Sequence, residues 1–218
     1  GDVTVTGLGA GVELGAKNIS DSATNAAFQL TSTAVSGATS ATVNVDGFLG
    51  TNLNVGASAA AGVNGTGVET LTIKAAGATS SIANVGSSGV TTLNVDADAQ
   101  LTISALASTS VAEINLTGST ATTSIDADAN ANAQEFTYTG GAGDDTIIIN
   151  TAFAGTDAFT GGDGDDTLSV RILSTGGDVA AVGALSSADA SVVSGFETLD
   201  LRSVDDATGG ASANDMVV

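Results

Sequence analysis

The chain contains no cysteine, histidine, proline or tryptophan. Without cysteine there are no disulfide bonds and no thiol chemistry, and without cysteine and histidine the usual zinc sites cannot form. Catalytic triads that use a histidine base are excluded for the same reason. Any metal ion that stabilises this protein must therefore be one that oxygen ligands can hold.

Aromatic and basic residues are both scarce. Aromatics make up 3% of the 218 residues, so the core must be built from small and β-branched side chains, which suit closely stacked strands. Four Lys and Arg stand against 24 Asp and Glu, a net charge of −20. Phosphate binding needs clustered basic side chains, which excludes nucleic acids and anionic membranes as partners. Bound divalent cations would relieve the repulsion among so many acidic groups.

Long hydrophobic runs are also missing. No apolar stretch approaches the roughly 20 residues that cross a bilayer, which predicts that the protein does not span a membrane. Residues 1–6 lack the basic start and apolar stretch of a signal peptide. They also lack an initiating Met, so we expect a fragment or a processed product of a longer protein.

One nine-residue pattern occurs twice, at residues 140–148 and 161–169, with a spacing of 21 residues. Each copy is Gly-Gly-x-Gly-x-Asp-x-apolar-x and follows an aromatic residue and a threonine. The pattern describes a calcium-binding turn that leads into a short strand. The glycines let backbone carbonyls converge on one point, and the aspartate supplies a carboxylate that a hard cation binds. The candidate metal ligands are Gly140, Gly141, Gly143, Asp145, Gly161, Gly162, Asp163, Gly164 and Asp166.

These motifs resemble the RTX family, the calcium-binding repeat proteins that Gram-negative bacteria secrete. The resemblance implies Ca²⁺ as the bound ion, held between stacked turns by Asp145, Asp166 and glycine carbonyls. Only two motifs are intact, so we expect one or two sites rather than a long series. A third, degenerate copy at residues 210–218 has alanine at two glycine positions. The alternative is that the turns bind no ion.

Short strands separated by turn residues recur about every 10 to 11 residues, a spacing that suits either a sandwich or a solenoid. Internal repeats favour the solenoid. Residues 67–73 match residues 89–95, which lie 22 positions later, and residues 195–201 repeat the same signature. The sequence therefore predicts an all-β fold, a parallel β-solenoid (β-helix or β-roll) with two strands per coil and coils of about 21 residues.

The chain divides into three parts by this repeat. Residues 1–40 are expected to form an N-terminal strand region that can continue a preceding domain. Residues 41–173 form the solenoid with the calcium turns, and residues 174–218 an excursion, a final strand and the degenerate repeat. Apolar residues near 175–195 predict a short helical or loop interruption. The Ala/Gly-rich run at 57–65 indicates a wide turn or a flexible linker.

Two further groups, Asp96/Asp98 and Asp126/Asp128/Asn130, have the i, i+2 spacing that places two oxygens on one side of a strand or turn. A metal site and a solvated turn are both open for them. Paired carboxylates can also cleave glycosides, and calcium-dependent lyases use β-helices. Such lyases need an Arg or Lys base beside the calcium and also a basic groove for their acidic substrate, but Arg171 is the only basic residue close to the motifs in sequence. We therefore expect no enzyme activity.

The Thr/Ala/Gly-rich, cysteine-free composition, combined with the motifs, resembles bacterial surface-layer (S-layer) proteins secreted by the type I pathway. This implies an extracellular protein of the cell surface with a structural role, which self-assembles with calcium into an S-layer, sheath or filament. The expected partners are copies of the same chain, together with a cell-surface polysaccharide. The alternative is a calcium-folded RTX module of a larger secreted adhesin or exoenzyme, which would remain a monomer.

Overall fold

The computed structural model describes residues 3–5, 13–18, 27–30, 40–55, 68–87, 89–108, 110–129, 135–150, 157–173 and 193–204. Within these ranges the chain forms short strands and contains no helix. None of the described residues builds a helix able to span a membrane. The strands are β1 (Val3–Val5), β2 (Glu13–Lys17), β3 (Ala27–Leu30), β4 (Ser40–Asp46), β5 (Leu49–Val55), β6 (Thr70–Ala75), β7 (Ser80–Ser87), β8 (Thr92–Ala97), β9 (Leu101–Ile103), β10 (Leu106–Ser108), β11 (Glu113–Asn115), β12 (Thr123–Asp126), β13 (Thr137–Thr139), β14 (Thr146–Asn150), β15 (Ala158–Thr160), β16 (Thr167–Leu173), β17 (Val193–Ser194) and β18 (Thr198–Val204).

The strands form two sheets in which all paired neighbours run parallel. One sheet has the order β1-β3-β5-β7-β9-β12-β14-β16-β18, with β10 paired to β7. The other has the order β17-β15-β13-β11-β8-β6-β4-β2. Apart from β9 and β10, consecutive strands alternate between the two sheets, because parallel neighbours need a crossover between them. This is the path of a solenoid, and the predicted all-β, parallel β-solenoid is confirmed.

The coils are shortest in the middle of the solenoid. Thr146 pairs with Thr167, 21 residues later, as the motif spacing predicts. Coils nearer the ends are longer: Ser40 pairs with Thr70, and Thr167 pairs with Thr198. The extra residues fall where the sequence predicted a wide turn (57–65) and an interruption (175–195), both largely outside the described residues. These insertions leave the strand register intact on either side.

The core consists of stacked aliphatic columns. In β6, Leu71, Ile73 and Ala75 are buried while the residues between them face outward. Leu71 pairs with Leu93 in the next coil, and Leu93 pairs with Ile114 in the coil after that. Each fully buried aliphatic side chain contributes about 1.5–3 kcal/mol. Repetition of such columns lets the fold form with few aromatic residues.

The repeated strand signature does not specify a sheet. The copies at 67–73 and 89–95 form β6 and β8, which pair in register as expected. The copy at 195–201 forms β18, which lies in the opposite sheet and pairs with β16. The signature therefore encodes a turn followed by an inward-facing leucine, which strands of both sheets require.

Candidate metal centre

The two glycine motifs lie in adjacent coils and stack on each other. Thr146 and Thr167, which follow the motif aspartates, are register partners in β14 and β16. The turns themselves are joined by the N–H of Asp163, which donates to the carbonyl oxygen of Gly141 (2.9 Å). The stacking that the 21-residue spacing predicted is therefore present.

Oxygen atoms occupy the space beside the first glycine of each motif. A Cβ atom on Gly140 would collide with the carbonyl oxygen of Gly161 and would lie 3.4 Å from Oδ2 of Asp145. A Cβ atom on Gly161 would collide with the carbonyl oxygen of Gly195 and would lie 2.7 Å from Oδ2 of Asp166. Each first glycine thus opens a cradle between a carbonyl oxygen of the next coil and a carboxylate oxygen of its own motif. Converging oxygens of these two kinds are calcium ligands.

The carboxylate of Asp145 is buried, and both of its oxygens accept hydrogen bonds from the backbone. Oδ1 accepts from the N–H of Thr123 in the preceding coil (3.1 Å), and Oδ2 accepts from the N–H of Gly141 (2.8 Å). Burial raises the pKa of Asp145 to about 6, the bond from Gly141 opposes the rise, and the charge of Asp166 adds to it. Asp145 therefore links two coils through its own hydrogen bonds.

Asp166 holds the equivalent position one coil later, but its carboxylate is only half satisfied. Oδ1 accepts from the N–H of Asp145 (2.8 Å), whereas Oδ2 is buried without a hydrogen-bond partner. The backbone differs here, because Gly162 has a φ of +115°, a conformation that Gly141 does not adopt. Burial raises the pKa of Asp166, and the charges of nearby acids raise it further. An unpaired buried polar group costs about 1–3 kcal/mol, and more when charged. A bound cation would remove that cost.

The other predicted ligands line the same two turns. Gly164 has a φ of +127° and lies against the carbonyl oxygen of Gly143. Gly143 in turn packs against the backbone of Ala121 in the preceding coil. The side chain of Asp163 is exposed at the edge of its turn. The backbone at these glycines is therefore closely stacked, while Asp163 contributes no buried oxygen.

Glu197 extends the column of Asp145 and Asp166 by one coil, although it lies outside both glycine motifs. Its Oε2 accepts a hydrogen bond from the N–H of Asp166 (2.7 Å), the same bond that Asp166 makes to Asp145. The turn before Glu197 lacks the glycine pattern. A signal was nevertheless present, because each of the three acids is followed by threonine and then by an aliphatic residue.

Tyr138 lies close enough to the motif acids to be affected by their charge. Burial raises the pKa of Tyr138, and the carboxylates of Asp145 and Asp166 raise it further. Its hydroxyl is buried without a hydrogen-bond partner, and its ring stacks on Phe196 at a centroid distance of 6.1 Å. Tyr138 is the only tyrosine of the chain, so it is a built-in spectroscopic reporter for this region.

The acidic side chains alone do not make a metal site. Among the residues that the structure describes, no group of three or more acidic side chains has a metal-binding arrangement. A cation here would take most of its ligands from backbone carbonyls, as calcium does with its six to eight oxygens. The glycine cradles and the unpaired oxygen of Asp166 fit that requirement.

Asp126 and Asp128, for which a metal site and a solvated turn were both open, bind Arg171 instead. Nη2 of Arg171 lies 2.7 Å from Oδ2 of Asp126, and Nη1 contacts Oδ2 of Asp128. Arg171 belongs to β16 and reaches across β14 to the end of β12. The guanidinium is therefore held by these two carboxylates. Of the other pair, Asp98 accepts a hydrogen bond from Oγ1 of Thr120 (3.1 Å).

No protein-family model, curated protein or solved structure matches this chain. A function must therefore be inferred from the motifs and from the geometry of the stacked turns.

Proposed function

We propose that this protein is a calcium-stabilised structural protein of the cell surface, which assembles with copies of itself into an S-layer, sheath or filament. The observation that carries the proposal is the column of stacked turns in which Oδ2 of Asp166 is buried and unpaired. Calcium bound in this column would join adjacent coils and couple folding to the metal. Extracellular calcium modules have dissociation constants of about 10⁻⁴ to 10⁻³ M, so such a chain would fold only after export.

The outer edge of β18 supports a role in assembly. Ile125, Ile147, Leu168 and Leu199 are successive register partners that form one interior column. The first three are at most 1% exposed, whereas Leu199 is 51% exposed. Within the described residues β18 has no partner strand on its outer side. Exposed strand edges pair with other chains, and the outer edge of β18 is the one that we propose receives another copy.

The calcium part of the proposal is tested by terbium luminescence. Terbium occupies oxygen-rich calcium sites, and a nearby tyrosine can sensitise its emission. Because the chain has one tyrosine and no tryptophan, such emission is assigned to Tyr138. We expect sensitised emission that excess calcium displaces. Tyr138→Phe should abolish the emission while leaving calcium binding measurable by calorimetry, and Asp166→Asn should weaken binding itself. A chain that binds neither ion at millimolar concentration would contradict the proposal.

The assembly part is tested by light scattering during a calcium titration. Wild-type protein should grow reversibly into large particles, and Leu199→Ser should block growth from the β18 end. Leu49→Ser is the matched control, because Leu49 is 52% exposed but lies inside its sheet on β5. If wild-type protein folds with calcium and stays a monomer, the self-assembly proposal is wrong and the chain is a module of a larger adhesin or exoenzyme.

A further inference from the structure

Three acids, Asp145, Asp166 and Glu197, follow one another in successive coils, although the two glycine motifs supply only the first two. We propose that the calcium site lies between Asp166 and Glu197, in the coil that follows the motifs, and that Asp145 is a structural residue. The inference rests on the proposed calcium binding, and it changes which carboxylates hold the ion. The resemblance to the RTX family implied Asp145 and Asp166 as the pair.

Asp145 has no oxygen left without a partner. Its two carboxylate oxygens accept backbone hydrogen bonds of 3.1 and 2.8 Å from two different coils. A cation at these oxygens would compete with two backbone N–H groups, and an unsatisfied buried N–H is unfavourable. Both carboxylate oxygens of Asp145 are therefore already engaged, whereas one oxygen of Asp166 is not.

The equivalent position one coil later differs in its carboxylate. Oδ2 of Asp166 is buried and accepts no hydrogen bond, and it shares the space beside Gly161 with the carbonyl oxygen of Gly195. Gly195 has a φ of +67°, which places this carbonyl in a turn that contains only one glycine. An unpaired carboxylate oxygen and a carbonyl oxygen that face the same space are two of the six to eight oxygens that calcium binds.

Glu197 supplies the second carboxylate. One of its oxygens, Oε2, holds the N–H of Asp166 (2.7 Å), and its other oxygen accepts no hydrogen bond from the described residues. No basic side chain of the described part forms an ion pair with Asp166 or Glu197. The side chain of Glu197 is exposed, and a cation bound between the two carboxylates would remove their mutual repulsion.

The test compares Glu197→Gln with Glu69→Gln. Both glutamates are exposed and occur in the same Gly-x-Glu-Thr-Leu signature, but Glu69 precedes β6 in the other sheet. Glutamine keeps an acceptor for the N–H of Asp166, so Glu197→Gln should fold. We expect it to weaken calcium binding by at least about tenfold, since affinity follows the number of charged ligands. Glu69→Gln should bind calcium like the wild type, as measured by calorimetry and terbium luminescence.

Asp145→Asn separates the two assignments. We expect it to lower the melting temperature in EDTA and in calcium alike, while its calcium affinity stays within about threefold of the wild type, because the charged ligand set is unchanged. Normal affinity in Glu197→Gln would overturn the proposal, whether or not Asp145→Asn folds. If Asp145→Asn alone loses binding, calcium lies between the two motifs and the proposed function survives. If the wild type binds no calcium, the proposed function fails as well.

Discussion

The carboxylate of Asp166 accepts a hydrogen bond from the backbone N–H of Asp145, which lies 21 residues earlier in the chain (2.8 Å). In the same way, the carboxylate of Asp145 accepts a hydrogen bond from the N–H of Thr123, and that of Glu197 accepts one from the N–H of Asp166. Each acid thus satisfies an N–H group of the preceding coil at the start of a strand. The acids of this column stabilise the stack directly, so a substitution has a structural effect that must be separated from any effect on metal binding.

Replacing Asp145 with alanine should lower the free energy of unfolding by about 2–4 kcal/mol, because two backbone N–H groups lose their acceptor. The N–H of Thr123 belongs to a fully buried residue. Urea denaturation in EDTA measures the effect, and Asp163→Ala, at an exposed position of the second turn, should change little. Equal effects of the two substitutions would show that the bonds of Asp145 do not stabilise the fold.

Replacing Gly161 with alanine should be strongly destabilising, because its Cβ would collide with the carbonyl oxygen of Gly195. We expect a loss of about 3 kcal/mol or more, since backbone must move to relieve the overlap. Gly15 on β2 is the matched control, because a Cβ there meets no atom within 4 Å. Thermal melts of Gly161→Ala and Gly15→Ala should therefore differ widely. Similar melting temperatures would mean that the coils are less closely stacked than described.

In the presence of a chelator, Asp145 should contribute more to the stability of the protein as the pH is lowered from 7 to about 4.5. Burial raises the pKa of Asp145 to about 6 in the folded state, against about 3.9 in the unfolded chain. The folded state therefore binds the proton more tightly. The contribution of Asp145 to the free energy of unfolding therefore falls by up to about 3 kcal/mol as the pH rises from about 4 to about 6. Above about pH 6 this contribution is constant.

Chemical denaturation at pH 4.5 to 7.5 measures this dependence, and Asp145→Asn is the control that isolates it. Other acids of this strongly acidic chain titrate in the same interval, so the informative quantity is the difference between the two profiles. The variant should show a shallower dependence. Parallel profiles would assign the pH effect to other carboxylates.

Replacing Arg171 with glutamine should destabilise the protein by about 1–3 kcal/mol, because it leaves Asp126 and Asp128 together without their cation. The arginine side chain is 28% exposed and that of Asp126 is 13% exposed, so water screens the pairs only in part. Lys17→Gln is the control: Lys17 pairs with Asp46 at 2.6 Å, but its side chain is 72% exposed. Exposed pairs contribute little, so this variant should melt like the wild type.

The main features of the fold could be predicted because they repeat along the chain. Alternating apolar residues, such as Leu71 and Ile73 in β6, set which side of a strand is buried, and the 21-residue spacing of the motifs placed Thr146 opposite Thr167. Both signals are local or strictly periodic. The place of Glu197 was harder to predict, because a coil of 31 residues separates Thr167 from Thr198 and breaks the period.

By itself the sequence determined the all-β class, the parallel solenoid, the coil of about 21 residues and the stacking of the two glycine motifs. Backbone periodicity and side-chain burial require these features. Only the tertiary structure decided which oxygens are already used: those of Asp145 bind backbone N–H groups, one of Asp166 is unpaired, and Arg171 holds the acids of a coil 43 and 45 residues away. The reason is physical, since whether a carboxylate is satisfied depends on donors that the folded coils bring beside it.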